Sequence, residues 1–252
     1  MSERALIRLL QVLVLAAFLS TWELGGALRW WDPTWTSSPT LIAQAFIESL
    51  GEGQIVRHTW VTLSESFGGL LAGTLVGVLL GVVLGLSRVL GAVMEPFVIA
   101  LNSLPRVALA PLIVMYVGIG FMSKFLLSFS LVVVPMMLAT YEGIRSAEPI
   151  WLHAMQVLRA NRLQVFFKVL LPGCVPWIFS GLRVSISLAI VGAIVGEFIS
   201  ARAGIGYMID EAAGGFDSTR MLMPLLVLML IAFALDRLVL IASTRLMRWR
   251  EG

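Results

Sequence analysis

The sequence predicts an all-α membrane protein of about six transmembrane helices, and three observations carry the prediction. Hydrophobic side chains make up 59% of the 252 residues and charged ones only 13%, more apolar surface than a soluble domain of this length needs for its core. Residues 66–87 and 125–141 contain no Asp, Glu, Lys, Arg or His, and the first run alone reaches the roughly 20 helical residues that cross a hydrocarbon core. The Lys and Arg residues fall mostly in short segments between apolar runs, as they do on the cytoplasmic face of a membrane protein.

The spans are expected at residues 9–28, 62–86, 97–117, 125–141, 174–198 and 221–245, within one membrane domain covering 1–252. Arg4 and Arg8 ahead of the apolar run 9–19 resemble a secretory signal. The run continues through Trp22 and Leu24, and 20–23 lacks a small-x-small cleavage pattern, so an uncleaved first helix is expected. Trp30, Trp31 and Trp35 follow it, where indole rings favour the interface, and a short helix over 39–50 is expected along the outer surface. Span two carries Gly69, Gly73, Gly77, Gly81 and Gly85 at four-residue spacing, a slowly winding stripe that lets another helix approach closely. A packing seam is the expected role of this stripe.

An even number of spans puts both termini on one side. Arg4, Arg8, Arg88, Arg145, Arg159, Arg162, Lys168, Arg245, Arg248 and Arg250 then share a face, opposite Arg29, Arg57, Lys124, Arg202 and Arg220. The richer face is cytoplasmic by the positive-inside rule, so both termini are expected inside.

The largest cytoplasmic segment on this topology is 142–172. Pro149 suits a first helical turn, and Ala160-Asn161 suits a break. Ile150, Trp151, Ala154, Val157 and Leu158 recur at helical spacing before the break, and Leu163, Phe166, Phe167 and Leu170 after it. Two short amphipathic helices are expected, either lying on the inner leaflet or docking a partner.

The spacing of this segment resembles the docking loop of binding-protein-dependent ABC importer permeases. That family's pattern is Glu-Ala-Ala, three residues, Gly, nine residues, Ile, one residue, Leu-Pro. It falls without gaps on His153-Ala154-Met155, Arg159, Val169 and Leu171-Pro172. Identity is kept at Ala154, Leu171 and Pro172, whereas His153, Met155 and Arg159 depart from it. Arg tolerates positive φ poorly, and neighbouring Asn161 is the alternative for the left-handed turn position. The stretches 102–124, 181–198 and 204–217 resemble the nitrate, sulfonate and taurine subfamily, and the likeness runs from about Ser38 to the C-terminus.

The resemblance implies a type I ABC importer permease fold with a cytoplasmic coupling-helix loop between spans four and five, in a bacterial inner membrane. It implies a half-pore for a small anionic organic or inorganic solute, with pyrimidine precursors, flavins or aromatic acids as the alternative. It further implies two ABC ATPase subunits, a second permease copy, expected as a homodimer, and an extracytoplasmic solute-binding protein. Trp151, His153, Met155 and Leu158 would enter the ATPase groove, flanked by Arg159, Arg162 and Lys168. The chain itself has no Gly-x-x-x-x-Gly frame before either of its lysines, Lys124 and Lys168. It is therefore expected to bind no cofactor, with ATP and Mg on the partner ATPase.

Ionisable residues inside spans face cavities or partners. Arg106, between Pro105 and Pro111, is read with Asn102 and Ser103 as lining the pore and favouring an anion, or else as a structural arginine bonded to freed carbonyls. Arg183 and Asp236 each lie about 13 Å deep at 1.5 Å per residue and are expected to form a structural ion pair. Glu197 is placed at the pore mouth or as an interfacial carboxylate in water.

Composition also excludes alternatives. The pI near 9.5 comes with no clustered basic module, which argues against nucleic acid. Lone Cys174 allows no intrachain disulfide and is expected as a packed small residue. No catalytic or metal-binding pattern is present, because His58 and His153 fall at or beyond span ends and no HExxH motif or paired intramembrane aspartates occur. A secondary transporter would show an internal repeat, and the two halves of the chain do not resemble each other.

Overall fold

A computed structural model describes residues 3–247, in which every regular element is helical. The basic residues Arg248 and Arg250 lie outside that range. The chain opens with α1 (Glu3–Ala27), whose apolar side chains are exposed along almost its whole length. Such a helix is solvated by lipid tails rather than by the rest of the chain. It ends in a left-handed turn at Arg29, φ 57°, with the Trp31 ring folded over Gly25.

A short turn, α2 (Pro33–Thr36), leads to α3 (Pro39–Gly51). The Ser38 hydroxyl caps α3 by accepting the Leu41 N–H, and Pro39 occupies its first turn, where no N–H is needed. Thr40 Oγ1 donates to Glu23 Oε1 at 2.7 Å, tying α3 to α1.

Three long helices form the centre: α4 (Gln54–Leu86), α7 (Phe121–Arg145) and α10 (Leu171–Ser200). The most buried is α7, held between the other two. The glycine stripe of α4 lies along it. A Cβ built at Gly77 would stand 2.6 Å from Met136 Cβ, and one at Gly81 2.6 Å from the Met137 carbonyl oxygen. Gly73 faces Val132, Gly85 faces Ile144, and Gly69 faces Ser128. A neighbouring face of α7 is closed the same way, by Gly181, Gly192 and Gly196 of α10 against Ala139, Ser128 and Lys124. Close backbone approach is how helices associate where lipid supplies no hydrophobic drive. Ser128 Oγ adds an interhelical bond to the Ala189 carbonyl at 2.8 Å. Cys174 is fully buried in the same contact, its Sγ 3.4 Å from the Thr140 carbonyl.

Span three departs from the expected single helix over 97–117. It consists of α5 (Arg88–Ser103), a 3-10 turn (Arg106–Leu109) and α6 (Ala110–Val117), bent by 77° at the break. The cause is Pro105, which brings no N–H to the ladder and drives the preceding Leu104 out of helical geometry, to ψ 127°.

Segment 142–172 also differs from expectation. Its first helix is α8 (Pro149–Val157), but the second, α9 (Arg162–Val165), is no separate surface helix. A π turn over Phe166–Leu170 joins it to α10, making one helical rod of 39 residues, Arg162–Ser200. Pro172 lacks an N–H for the ordinary ladder, and the wider turn just before it, with Leu171 N–H bonded to the Phe166 carbonyl, accommodates that loss. The chain closes with α11 (Ile205–Gly214), packed between α4, α10 and α12 (Ser218–Leu246).

Candidate docking loop and translocation path

In the candidate docking loop, α8 has no buried residue. Trp151 is 60% and Leu158 74% exposed. His153, Ala154, Arg159 and Arg162 are exposed beside them, while Met155, Leu171 and Pro172 are half-buried. Apolar side chains on an uncovered helix need a partner surface. Between α8 and the base of α10 lies a cavity of about 670 Å³ lined by Glu148, Trp151, Lys168, Pro172 and Trp177.

The turn after α8 answers the question raised by Arg159. It is Arg159 itself that takes the left-handed conformation, φ 50°. The Ala160 N–H reaches back to the Met155 carbonyl at 2.9 Å and the Arg159 N–H to Gln156 at 2.9 Å. The backbone thus makes a glycine-type helix stop without glycine. Asn161 does not take that role: at φ −76° it is the N-cap of α9. Its Oδ1 accepts the Gln164 N–H at 2.8 Å, and Gln164 Oε1 accepts the Asn161 N–H at 2.9 Å. This capping box is legible in the sequence as Asn-x-x-Gln.

Along the spans, Arg183 on α10 and Asp236 on α12 meet bidentately, at 2.7 and 3.0 Å. Their side chains are 43% and 32% exposed on the chain surface. Ser180 and Ser187 extend that exposed face of α10 by about one turn each way. Charges at this depth do not face hydrocarbon, so this face meets water or another polypeptide.

Arg106 opens the 3-10 turn, with Nη1 2.8 Å from the Ser130 carbonyl and 3.5 Å from that of Leu131. Leu131 O is the acceptor that residue 135 would normally satisfy, and residue 135 is proline. Arg106 therefore bonds chiefly the Ser130 carbonyl and reaches a freed carbonyl only at 3.5 Å, one freed by Pro135 of α7 rather than by Pro105 or Pro111. Asn102 and Ser103 are exposed at the end of α5, with Ser103 Oγ bonded to the Ile99 carbonyl at 2.9 Å.

Glu197 lies at neither a pore mouth nor a water-facing interface: it is 2% exposed. Thr62 Oγ1 donates to its Oε1 at 2.6 Å and the Gly206 N–H to its Oε2 at 2.5 Å. Thr62 in turn accepts the Ile205 N–H at 2.7 Å, and His58 Nδ1 accepts that of Gly204 at 2.9 Å. Gly204 adopts φ 123°, and a Cβ there would meet the Glu197 carboxylate. Two further buried groups complete the cluster. Glu65 is 4% exposed beside Glu197, and Lys124, 3% exposed, donates to the Ser200 carbonyl at 3.0 Å. Sequence reasoning missed Glu65 and Thr62, because they sit at the edge of an apolar run and their partners lie over a hundred residues away.

Residues 73–248 match the family described as the binding-protein-dependent transport system inner membrane component. The riboflavin transport system permease protein RibX of Chloroflexus aurantiacus is 36% identical over 238 residues, covering 94% of this chain and 89% of that one. The taurine transport system permease protein TauC of Escherichia coli is 28% identical, covering 95% and 89%. A putative aliphatic sulfonates permease, SsuC of Bacillus subtilis, is 26% identical, covering 96% and 87%. An inward-facing structure of the MetNI methionine ABC transporter shares the fold, with TM-score 0.66 and 21% identity over 77% of this chain and 95% of that one. The match over residues 73–248 and a relative 36% identical along nearly the whole chain show the family: the chain belongs to the binding-protein-dependent inner membrane component family, the permease subunits of ABC importers.

Proposed function

We propose that two copies of this chain pair across the face carrying Arg183 and Asp236 to enclose a path for a small anionic solute in a bacterial cytoplasmic membrane. The ATPase of such a transporter is a separate subunit, and one ATPase docks under each copy. Both termini and α8 face the cytoplasm, whereas α3 and α11 face the extracytoplasmic binding protein. ATP and Mg²⁺ belong to the ATPases: Lys124 is buried against the Ser200 carbonyl, and no phosphate-cradling loop precedes Lys168.

The observation that carries the coupling role is the exposure of α8. Trp151, His153, Met155 and Leu158 fill a groove of the ATPase, and Arg159, Arg162 and Lys168 flank it. Because α9 is continuous with α10, force applied at this loop reaches the ion-paired face through one rod. An anion is favoured by Arg106, only one of whose terminal nitrogens is occupied by carbonyls, and by the taurine and sulfonate permeases among the relatives. A flavin is the second reading, supported by the higher identity to the riboflavin permease.

Proteoliposomes holding the permease, its ATPase and its binding protein test both. ATP-dependent uptake of taurine but not riboflavin supports the first reading, the reverse supports the second, and uptake without ATP refutes the importer assignment. Trp151→Ala should abolish stimulation of ATP hydrolysis by the loaded binding protein.

A further inference from the structure

A cavity of about 460 Å³ opens between the end of α3, the start of α4, α11 and the start of α12, away from both the docking loop and the ion-paired face. Its charge is one-sided. Glu48, Glu52, Glu211 and Asp217 line it against a single arginine, Arg220. That arginine is engaged, with Nε 3.6 Å from Asp217 Oδ2, and among the described residues no salt bridge reaches the other three carboxylates. His58, on the same wall, is also occupied, by the Gly204 N–H and by stacking on Tyr207.

A second observation is independent of charge. Ser49 lines the same cavity, is 8% exposed, and its hydroxyl has no hydrogen-bond partner. Buried hydroxyls are normally paired, and one on an acidic wall is matched by an incoming N–H donor. Among the described residues no three metal-ligating side chains gather closely enough to hold an ion. Carboxylates spread around a space this large suit an extended cation rich in N–H groups.

We propose that this cavity receives a lysine or arginine side chain of the extracytoplasmic binding protein on which the family depends. The proposal rests on the orientation given above, which puts the cavity on the extracytoplasmic side. A docked cation would bridge α3, α11 and α12. Through Gly206 and Glu197, α11 is bonded to α10, so docking is felt at the outer end of the rod whose inner end meets the ATPase.

The test uses the complete transporter in nanodiscs, titrated with solute-loaded binding protein. A Glu48→Gln, Glu52→Gln, Glu211→Gln triple variant should weaken docking by about tenfold or more and flatten its salt dependence. ATP hydrolysis in the absence of binding protein should be unchanged. Ser49→Ala and Glu211→Gln alone should each weaken docking by a smaller factor, and they carry the test if the triple variant fails to fold. Docking at wild-type strength in these variants overturns the proposal. So does saturable binding of spermidine, without binding protein, that the triple variant loses while docking stays intact, since the cavity would then serve a free cation. A wild-type transporter that binds no binding protein overturns the importer reading itself.

Discussion

The guanidinium of Arg183 on α10 and the carboxylate of Asp236 on α12 face each other in a two-bond fork, 2.7 and 3.0 Å, on an exposed mid-span surface. Removing one partner strands a charge at hydrocarbon depth, whereas removing both does not. Arg183→Ala or Asp236→Ala alone should cost most of the ATP-driven uptake. Exchanging the two residues should recover most of it, read as initial uptake rate in proteoliposomes at matched expression. Equal loss in the single and exchanged variants would show that charge position, rather than pairing, matters.

Arg106 and Pro135 form a second testable pair. Arg106→Gln should reduce uptake or stability by leaving the carbonyl freed by Pro135 poorly matched. Adding Pro135→Ala restores an N–H at that turn and should rescue the stability lost. Uptake that stays low in a double variant of normal stability would assign Arg106 to contact with the solute.

Arg159 stands at φ 50°, a conformation costing a side chain about 1 kcal/mol or more. Arg159→Gly should therefore raise the stability of the detergent-solubilised permease by roughly 1 kcal/mol, seen as a higher unfolding midpoint. Its docking to the ATPase should weaken if the guanidinium contacts that subunit.

At Gly77 an added methyl meets Met136 and the Val133 carbonyl at 2.6 Å, so Gly77→Ala should destabilise by roughly 1–3 kcal/mol. Gly173→Ala on α10, with nothing within 4 Å of the added atom, is the control and should be neutral or mildly stabilising. Unfolding midpoints of the purified variants check both.

Glu197→Ala would orphan the Gly206 N–H, at about 1–3 kcal/mol for an unpaired buried donor, and leave the Thr62 hydroxyl only its longer bond to the His58 carbonyl, 3.3 Å. Glu65→Gln, which supplies an amide donor toward Glu197, should be far milder. Proteolysis at α11 measures the difference, because its N-terminus is what these bonds hold.

Much of the fold was legible because the bilayer imposes local rules. Twenty apolar residues must be helical whatever they pack against, so the long spans could be placed from composition alone. The stripe from Gly69 to Gly85 announced a close approach, but its partner was not readable, since any helix can lie in such a groove. Gly181, Gly192 and Gly196 of α10 form no continuous four-residue stripe, yet they seat a neighbouring face of α7.

The sequence by itself determined a multi-pass helical protein, a segment spaced like the family's docking loop and the absence of a phosphate-binding frame. These follow from local hydrophobicity, periodicity and residue type. Only the tertiary structure decided that Arg159 rather than Asn161 makes the left-handed turn, and that Pro105 breaks span three while Arg106 serves Pro135. It also took Glu197 out of the water and set it between Thr62 and Gly206. Each of those outcomes depends on which distant carbonyl or N–H lies within about 3 Å, and residue order alone does not encode that distance.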